Sequence, residues 1–192
     1  MNGRTPLVLA QLGFGVIPSS DPRFYRPFDN AGPSGFSMGG AVAQTNELLL
    51  DGAPNTTRNS RVAYNPPVDA VQEVKAETFN IDAAYGHTAG GTVNVVMKSG
   101  TNRLHGTAYE FNQISNLAAN QFFNNATRQP RPLVRFNQYG ATIGGPIRIP
   151  KVVDGRNRLF FFWGFEKVRD ALPRPDRTSV PTAAQRGGDF SA

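Results

Sequence analysis

The stretch GGTVNVVMKSGTNRLHG, residues 90–106, changes character at its middle. Apolar residues recur at every second position from Val93 to Met97, and we predict a strand over 92–98. The polar turn KSGTN, residues 98–102, ends that strand, and a new alternating run starts at Leu104. One strand therefore closes a first domain, and the next strand opens a second.

Three alternating segments follow this turn, and we predict in each a strand of about nine to eleven residues, the length that a tilted strand needs to cross a bilayer. They are LHGTAYEFN (104–112), RFNQYGATIGGPI (135–147) and RLFFFWGFEKV (158–168). Aromatic-rich outer faces opposite small or polar residues indicate the wall of a transmembrane β-barrel. The residues that would share one face of each strand are His105, Thr107, Tyr109 and Phe111; Tyr139, Ala141 and Ile143; and Leu159, Phe161, Trp163 and Phe165.

The connections between these segments differ in length. About twenty residues, 113–134, join the first two, whereas the turn PKVVDGRN, residues 150–157, joins the second and third. Long loops at one end and short turns at the other are typical of outer-membrane barrels. An ordinary antiparallel meander packed on a soluble core fits the same alternation and stays open as an alternative.

The first hundred residues combine helical and strand patterns. Between them lies a long loop rich in Pro, Gly and aromatic residues, and loops of this length are often functional. A short helix is predicted from Leu7, with Val16 on its apolar face and Gly13 or Gly15 as its end, and the loop 18–40 follows. NELLLDGAPN (46–55) is predicted as a strand with an Asp-Gly turn, and a helical turn capped by Asp69 leads into a strand over 73–78. NIDAAYGHTAGG (80–91) is predicted as a short helix capped by Asn80 or Asp82 and stopped by Gly86.

Composition excludes several classes of protein. The 192 residues include no cysteine, so disulfides and thiolate metal sites are ruled out. No stretch reaches the ~18 apolar residues of a membrane-spanning helix. The N-terminal segment lacks the cationic start and cleavage site of a signal peptide, so either the protein is cytoplasmic or its true N-terminus is missing.

The charge balance leaves one rival interpretation. A net charge of +6 and a pI of about 10.1 would suit a nucleic-acid binder. The charges are scattered, however, and no basic helix or aromatic RNA-binding signature accompanies them.

No motif of catalytic chemistry is present in the sequence. His87 and His105 lack Cys, Asp or Glu neighbours at metal-ligand spacing. MKSG lacks the preceding glycine of a phosphate-binding loop, and no G-x-S-x-G nucleophile elbow occurs. Asp51 follows a strand, where a turn explains it more simply than a catalytic carboxylate. We predict a protein that is not an enzyme and that has no cofactor, no metal site and no catalytic residues.

An ordered series of motifs resembles the plug domain of TonB-dependent outer-membrane receptors and its junction with the barrel. The series is Leu50-Asp51-Gly52, the segment 71–76, Ala84-Tyr85-Gly86, Gly90-Gly91 and the strand with its turn over 93–100. The Oar-like subgroup is similar in NQYGATIGGPI, RLFFFWGFEKVR and TSVPTAAQRGGDFSA. The resemblance covers roughly residues 40–192.

This resemblance implies an α+β plug domain at residues 1–103, followed by antiparallel transmembrane β-barrel strands at residues 104–192. Barrels of this family close with about twenty-two strands. About three strands leave an incomplete barrel, so we expect a fragment or a truncated product, without its signal peptide and TonB-contacting segment. Thr101 and Asn102 would form the hinge between the two parts.

The resemblance also implies a location in the outer membrane and energised uptake of a bulky nutrient. The expected partners are outer-membrane lipid, the TonB complex and an unidentified nutrient ligand, with no nucleic acid. Asp51, Gly52, Gly86, Gly90 and Gly91 are expected to form structural turns of the plug. Contacts to the ligand are expected from the loop residues Arg23, Phe24, Tyr25 and Arg26. A soluble β-rich binding or adhesion module is the alternative function.

Overall fold

The computed structural model describes residues 5–20, 31–78, 88–120, 122–171 and 180–189. They form two compact units, Met1–Glu110 with Gln138–Val168, and Phe111–Asn137 with Arg169–Ala192. In chain order the elements are α1 (Leu7–Ala10), β1 (Val16–Pro18), β2 (Phe36–Met38), β3 (Glu47–Leu50), β4 (Ala53–Pro54), β5 (Val71–Glu77), β6 (Thr92–Met97), β7 (His105–Ile114), α2 (Phe122–Ala126), β8 (Arg135–Pro146), β9 (Arg148–Ile149), β10 (Val153–Asp154), β11 (Phe160–Ala171) and α3 (Ala183–Arg186).

A four-stranded mixed sheet lies at the centre of the first unit. Its strand order is β4-β3-β6-β5, with β3 parallel to β6 and the outer pairs antiparallel. A 3-10 turn over Val68–Ala70 leads directly into β5. Strands 47–50 and 92–97 fall within the predicted segments 46–55 and 92–98, because strong apolar alternation and turn residues bound both of them.

The core of this sheet is apolar and draws on distant parts of the chain. Helix α1, strand β2 and the inner strands β3 and β6 all contribute to it. Its buried members are Leu7, Ala10, Phe36, Met38, Leu48, Val62, Val93 and Val95. The alternation in β6 places Val93 and Val95 in this core, with Asn94 between them on the other face.

The N-terminal region differs from its predicted structure. Helix α1 ends at Ala10, and Val16 begins strand β1 instead of extending the helix. Strand β1 pairs with β2 inside the stretch predicted as a loop, and Phe36 is fully buried there. The predicted N-cap Asp69 lies inside its 3-10 turn, whose capping position is Pro67.

The three long strands form a second sheet, which we call the wall, in the order β11-β8-β7. The hydroxyl groups of Thr107 and Thr142 lie 2.8 Å apart, and the ring of Tyr109 covers Gly140. Residue numbers therefore rise along β7 as they fall along β8, so the two strands are antiparallel. All three predicted strands are confirmed, with ends that differ from those of the sequence patterns by at most three residues.

The two connections in the wall have structure of their own. The long connection between β7 and β8 contains a 3-10 turn over Ser115–Leu117 and helix α2. Its ends are tied together by a hydrogen bond from the Ser115 amide to the Val134 carbonyl, 3.0 Å. The connection between β8 and β11 contains the short hairpin β9–β10.

Candidate functional site

A buried asparagine organises the start of strand β6. The side-chain amide of Asn46 donates to the Phe36 carbonyl at 2.6 Å, and its oxygen accepts from the Gly91 amide at 3.2 Å. The Asn46 side chain thus links strand β2 to the glycine pair through both of its polar atoms. Sequence reasoning missed Asn46, because its partners lie 10 and 45 residues away.

The two glycines beside Asn46 are required by close packing. A Cβ atom added to Gly91 would lie 2.6 Å from the Glu77 carbonyl oxygen and 2.7 Å from Met38 Cε. A Cβ atom added to Gly90 would collide with the side-chain oxygen of Asn46. Neither glycine is among the described residues with positive φ, so crowding is the reason that side chains are excluded here.

The Asp51-Gly52 turn is held against the end of β6. Both residues have positive φ, 50° and 79°, the pattern of a type I′ hairpin turn. The Asp51 carboxylate accepts from the Met97 amide at 2.8 Å, and the Gly52 amide donates to the Asn94 side chain at 3.1 Å. Asp51 is therefore a turn residue, and its carboxylate joins the turn between β3 and β4 to strand β6.

The junction between the mixed sheet and the wall is fixed on both sides. Lys98 belongs to the sheet, since its amide donates to the Ala70 carbonyl and its ammonium group to the Asp69 carbonyl, each at 2.8 Å. Gly100 lies in the wall, where a Cβ atom would be 2.8 Å from the Gly145 carbonyl oxygen and closer still to that of Phe161. Only Ser99 separates the two attachments.

Asn102, expected to belong to a hinge, is instead fastened to the turn before β11. Its side-chain amide donates to Asn157 Oδ1 at 2.6 Å, and its Oδ1 accepts from the Asn157 amide at 2.8 Å. The neighbouring Thr101 hydroxyl donates to the Arg103 carbonyl at 3.0 Å. The segment 100–103 is therefore held by hydrogen bonds and close packing against the residues of the wall and the turn before β11.

One face of the wall is polar and partly buried. Tyr109 donates to Glu166 Oε2 at 2.6 Å across Gly140, whose missing side chain makes room for the tyrosine ring. Gln138 and Thr142 are buried on the same face of β8, and the Gln138 side-chain nitrogen has no hydrogen-bond partner among the described residues. The assignment of an aromatic outer face is wrong for β7, because Tyr109 lies on this polar face.

The other face of the wall carries exposed aromatic side chains. Trp163 is 53% exposed and stacks on Phe165, with ring centroids 6.1 Å apart. Phe162 lies on the opposite, polar face, where a Cβ atom on Gly144 would be 2.9 Å from its ring. The strand β11 thus separates these aromatic residues between two faces, as its alternation predicted.

The mixed sheet approaches the polar face of the wall at one point. A Cβ atom added to Gly164 of β11 would lie 3.4 Å from the Cβ atom of Ala70, in the 3-10 turn before β5. The turn before β5 is therefore in contact with the polar side of β11.

The residues expected to bind a ligand lie outside the described part of the chain. These are Arg23, Phe24, Tyr25 and Arg26, and the turn residue Gly86 is outside it as well. Among the described residues, a cavity of about 820 Å³ lies beside Thr45, Glu47, Thr57 and Arg58. One carboxylate oxygen of Glu47 is buried and has no hydrogen-bond partner within the described part of the chain.

The described segments contain neither a metal-binding cluster nor a membrane-spanning helix. No group of three or more His, Cys, Asp or Glu side chains in them is placed to hold a metal ion. No helix among them is long and apolar enough to span a membrane.

Comparison with protein families identifies the C-terminal half of the chain. Residues 96–192 match the family described as outer membrane beta barrel domain, and the match starts within β6 and includes the whole wall. The chain belongs to this family. Its location is accordingly the outer membrane, as the sequence motifs predicted.

A curated relative extends the similarity towards the N-terminus. The chain is 28% identical over 136 residues to the TonB-dependent transporter Oar of Myxococcus xanthus. The match includes 68% of this chain and 12% of the relative, so the chain spans about an eighth of that protein's length. The resemblance to Oar-like receptors is thereby confirmed, and a relative named as a transporter agrees with the prediction that the chain is not an enzyme.

Solved structures with partial similarity are siderophore receptors by name. PirA of Pseudomonas aeruginosa has a TM-score of 0.45 and 22% identity, covering 71% of this chain and 25% of the receptor. PirA of Acinetobacter baumannii has a TM-score of 0.42 and 18% identity, covering 75% of this chain and 24% of the receptor.

Proposed function

We propose that residues 1–103 form the plug domain, and residues 104–192 the first barrel strands, of a TonB-dependent outer-membrane transporter. The transporter would import a bulky nutrient with energy delivered through the TonB complex. The boundary between residues 103 and 104 lies between β6 and β7, the last strand of the mixed sheet and the first strand of the wall.

The packing of the mixed sheet on the polar face of the wall is the observation that carries this proposal. Large outer-membrane transporters enclose a lumen that is filled by a plug. The contact between Ala70 and Gly164 puts a folded sheet on the side of the wall that would face such a lumen. The opposite face presents Trp163 and Phe165, which suits contact with lipid.

A filled lumen also gives a physical reason for energised uptake. A bulky solute passes only if the plug moves or is remodelled, which requires the loss of contacts such as that between Ala70 and Gly164. Nutrient contacts from Arg23, Phe24, Tyr25 and Arg26 are part of the proposal, as are the plug turns at Asp51, Gly52, Gly86, Gly90 and Gly91.

A reversible cross-link between the two sheets tests this function. Ala70→Cys and Gly164→Cys would place two Cβ atoms about 3.4 Å apart, close to the ~3.8 Å of natural disulfides. Cells that carry the complete protein should deplete particular solutes from the medium, measured by mass spectrometry, and a protonophore should stop the depletion. The oxidised double variant should lose this uptake, and reduction should restore it.

The two single-cysteine variants are the controls, and they should take up solute with or without oxidant. Undiminished uptake by the oxidised double variant would refute the role of plug movement. If deletion of the gene changes surface attachment of the cells and no solute uptake, the adhesion module is the better interpretation.

A further inference from the structure

A strongly basic hairpin joins the wall strands β8 and β11. We call residues 147–158 the basic hairpin; it contains the pair β9–β10, in which Val153 lies opposite Ile149. Four cationic side chains and one carboxylate belong to it: Arg148, Lys151, Arg156, Arg158 and Asp154. The other connection of the wall, residues 113–134, contains two cations, Arg128 and Arg131, and no carboxylate.

The single carboxylate neutralises only part of this charge. Asp154 Oδ1 lies 3.3 Å from the Nε atom of Arg156 and 3.9 Å from that of Arg148. Among the described residues, Lys151 and Arg158 have no ion pair. Two cations of the hairpin are therefore available to an anionic partner.

The conformation of the tip favours glycine, yet the residue is a lysine. Lys151 has φ 65° and follows Pro150, while the Val152 amide donates to the Ile149 carbonyl at 3.0 Å. Proline followed by a residue with positive φ is the pattern of a type II turn, whose third position usually holds glycine. A strained non-glycine residue at an exposed tip is reason to look for a function of its side chain.

The tip also exposes apolar side chains beside the cations. Ile149 is 50% exposed and Val152 is 75% exposed. An apolar tip flanked by Lys and Arg is the composition of segments that lie in the interface of an anionic membrane. A nucleic-acid or acidic-protein surface would match the charges and leave these apolar groups in water.

The position of the hairpin indicates which anionic partner it meets. Its ends are continuous with β8 and β11, strands of an outer-membrane β-barrel domain, so it lies where these strands leave the bilayer. We propose that the basic hairpin binds anionic phospholipid at this membrane surface, with Lys151 and Arg158 contacting lipid phosphates and Ile149 and Val152 entering the acyl boundary. The inference depends on the outer-membrane location and not on transport, so the two can fail separately.

Photocross-linking at the tip tests the inference in the complete protein. A benzophenone amino acid at Val152 keeps this position apolar and captures whatever lies beside it. In vesicles of equimolar phosphatidylglycerol and phosphatidylcholine, mass spectrometry of the tip peptide should show adducts enriched in phosphatidylglycerol. Each cation near an anionic surface contributes about 1 kcal/mol, or about five-fold in binding.

Lys151→Gly should therefore lower the enrichment about five-fold, and Lys151→Gly with Arg158→Gln about 25-fold. Glycine suits φ 65°, so the first substitution removes the charge and keeps the turn. Arg61→Gln, a loss of an exposed cation in the mixed-sheet part of the chain, is the matched control and should change nothing.

Three results would overturn the proposal. One is equal capture of the two lipids by the unsubstituted hairpin. Another is an enrichment that survives the loss of both cations. The third is suppression of the adduct by soluble glycerophosphoglycerol as effective as that by lipid, which would assign the hairpin to free phosphate esters.

Discussion

Replacement of Gly91 by alanine provides a quantitative test of the crowding at the start of β6. The added methyl group would lie 2.6 Å from the Glu77 carbonyl oxygen, 2.7 Å from Met38 Cε and 2.8 Å from Met38 Sδ. The methionine can rotate away, but the carbonyl belongs to the backbone of the neighbouring strand β5. Overpacking of this kind costs typically ~1–3 kcal/mol.

Alanine also has fewer conformations than glycine in the unfolded chain, which raises the free energy of unfolding by ~0.4–1 kcal/mol where the native φ is tolerated. Gly91 is not among the glycines with positive φ, so this stabilisation applies to Gly91→Ala. The net expectation for Gly91→Ala is a loss of about 1–2 kcal/mol in local stability. Amide exchange of peptides from β6 in the complete protein, measured by mass spectrometry, should accelerate about 5–30-fold.

Gly40→Ala is a useful comparison, because no atom lies within 4 Å of the added methyl group and its cost arises from φ 81° alone. Its effect should stay local and leave exchange in β6 unchanged. Unaltered exchange in Gly91→Ala, together with lost uptake, would refute the packing argument and make the glycine pair a functional site.

Three further changes probe the wall and its connection. Trp163→Arg should impair membrane assembly by ~2–4 kcal/mol, and Phe162→Arg much less, in a refolding assay in vesicles; equal effects would contradict the assignment of faces. Tyr109→Phe removes the hydrogen bond to Glu166 and should lower the free energy of unfolding in urea by ~1.5–3 kcal/mol; an unchanged free energy of unfolding would contradict a stabilising role of this bond. The hydrogen bond from the Arg156 amide lowers the pKa of the Asp154 carboxyl from its usual value of 3.8. The stability that ionised Asp154 gives to the hairpin should therefore be complete at neutral pH and lost as the pH falls through the lowered pKa. Amide exchange of the hairpin should show this loss, and the Asp154→Asn variant should not show it.

The sequence was informative wherever the structure depends on local patterns. Strand β6, the Asp51-Gly52 turn and the three wall strands follow from alternation and turn chemistry within a few residues. Strands β1 and β2 were missed because each has only three residues, set among glycines and prolines that favour a loop. Alternation separates two faces of a strand, but it does not say which face is buried.

Non-local contacts account for the rest. The assignment of Tyr109 failed because its burial depends on space above Gly140, 31 residues further on, and on Glu166 beyond it. Asn46 belongs to no recognisable sequence motif, and its structural role depends on hydrogen bonds to Phe36 and Gly91, which are distant in the sequence. The ligand contacts expected at residues 23–26 and the role of Gly86 stay predictions.

The single residue between the two attachments limits the motions open to the mixed sheet. While Lys98 keeps its bonds to residues 69 and 70 and Gly100 stays enclosed by the wall, the backbone torsions between these two residues are the ones left to change. A linker of one residue has little reach, so it accommodates a small rotation of the sheet more easily than a displacement away from the wall. A force that pulls the sheet away from the wall would therefore load this linker first, and a larger displacement would require either Lys98 to peel from residues 69 and 70 or Gly100 to leave the wall.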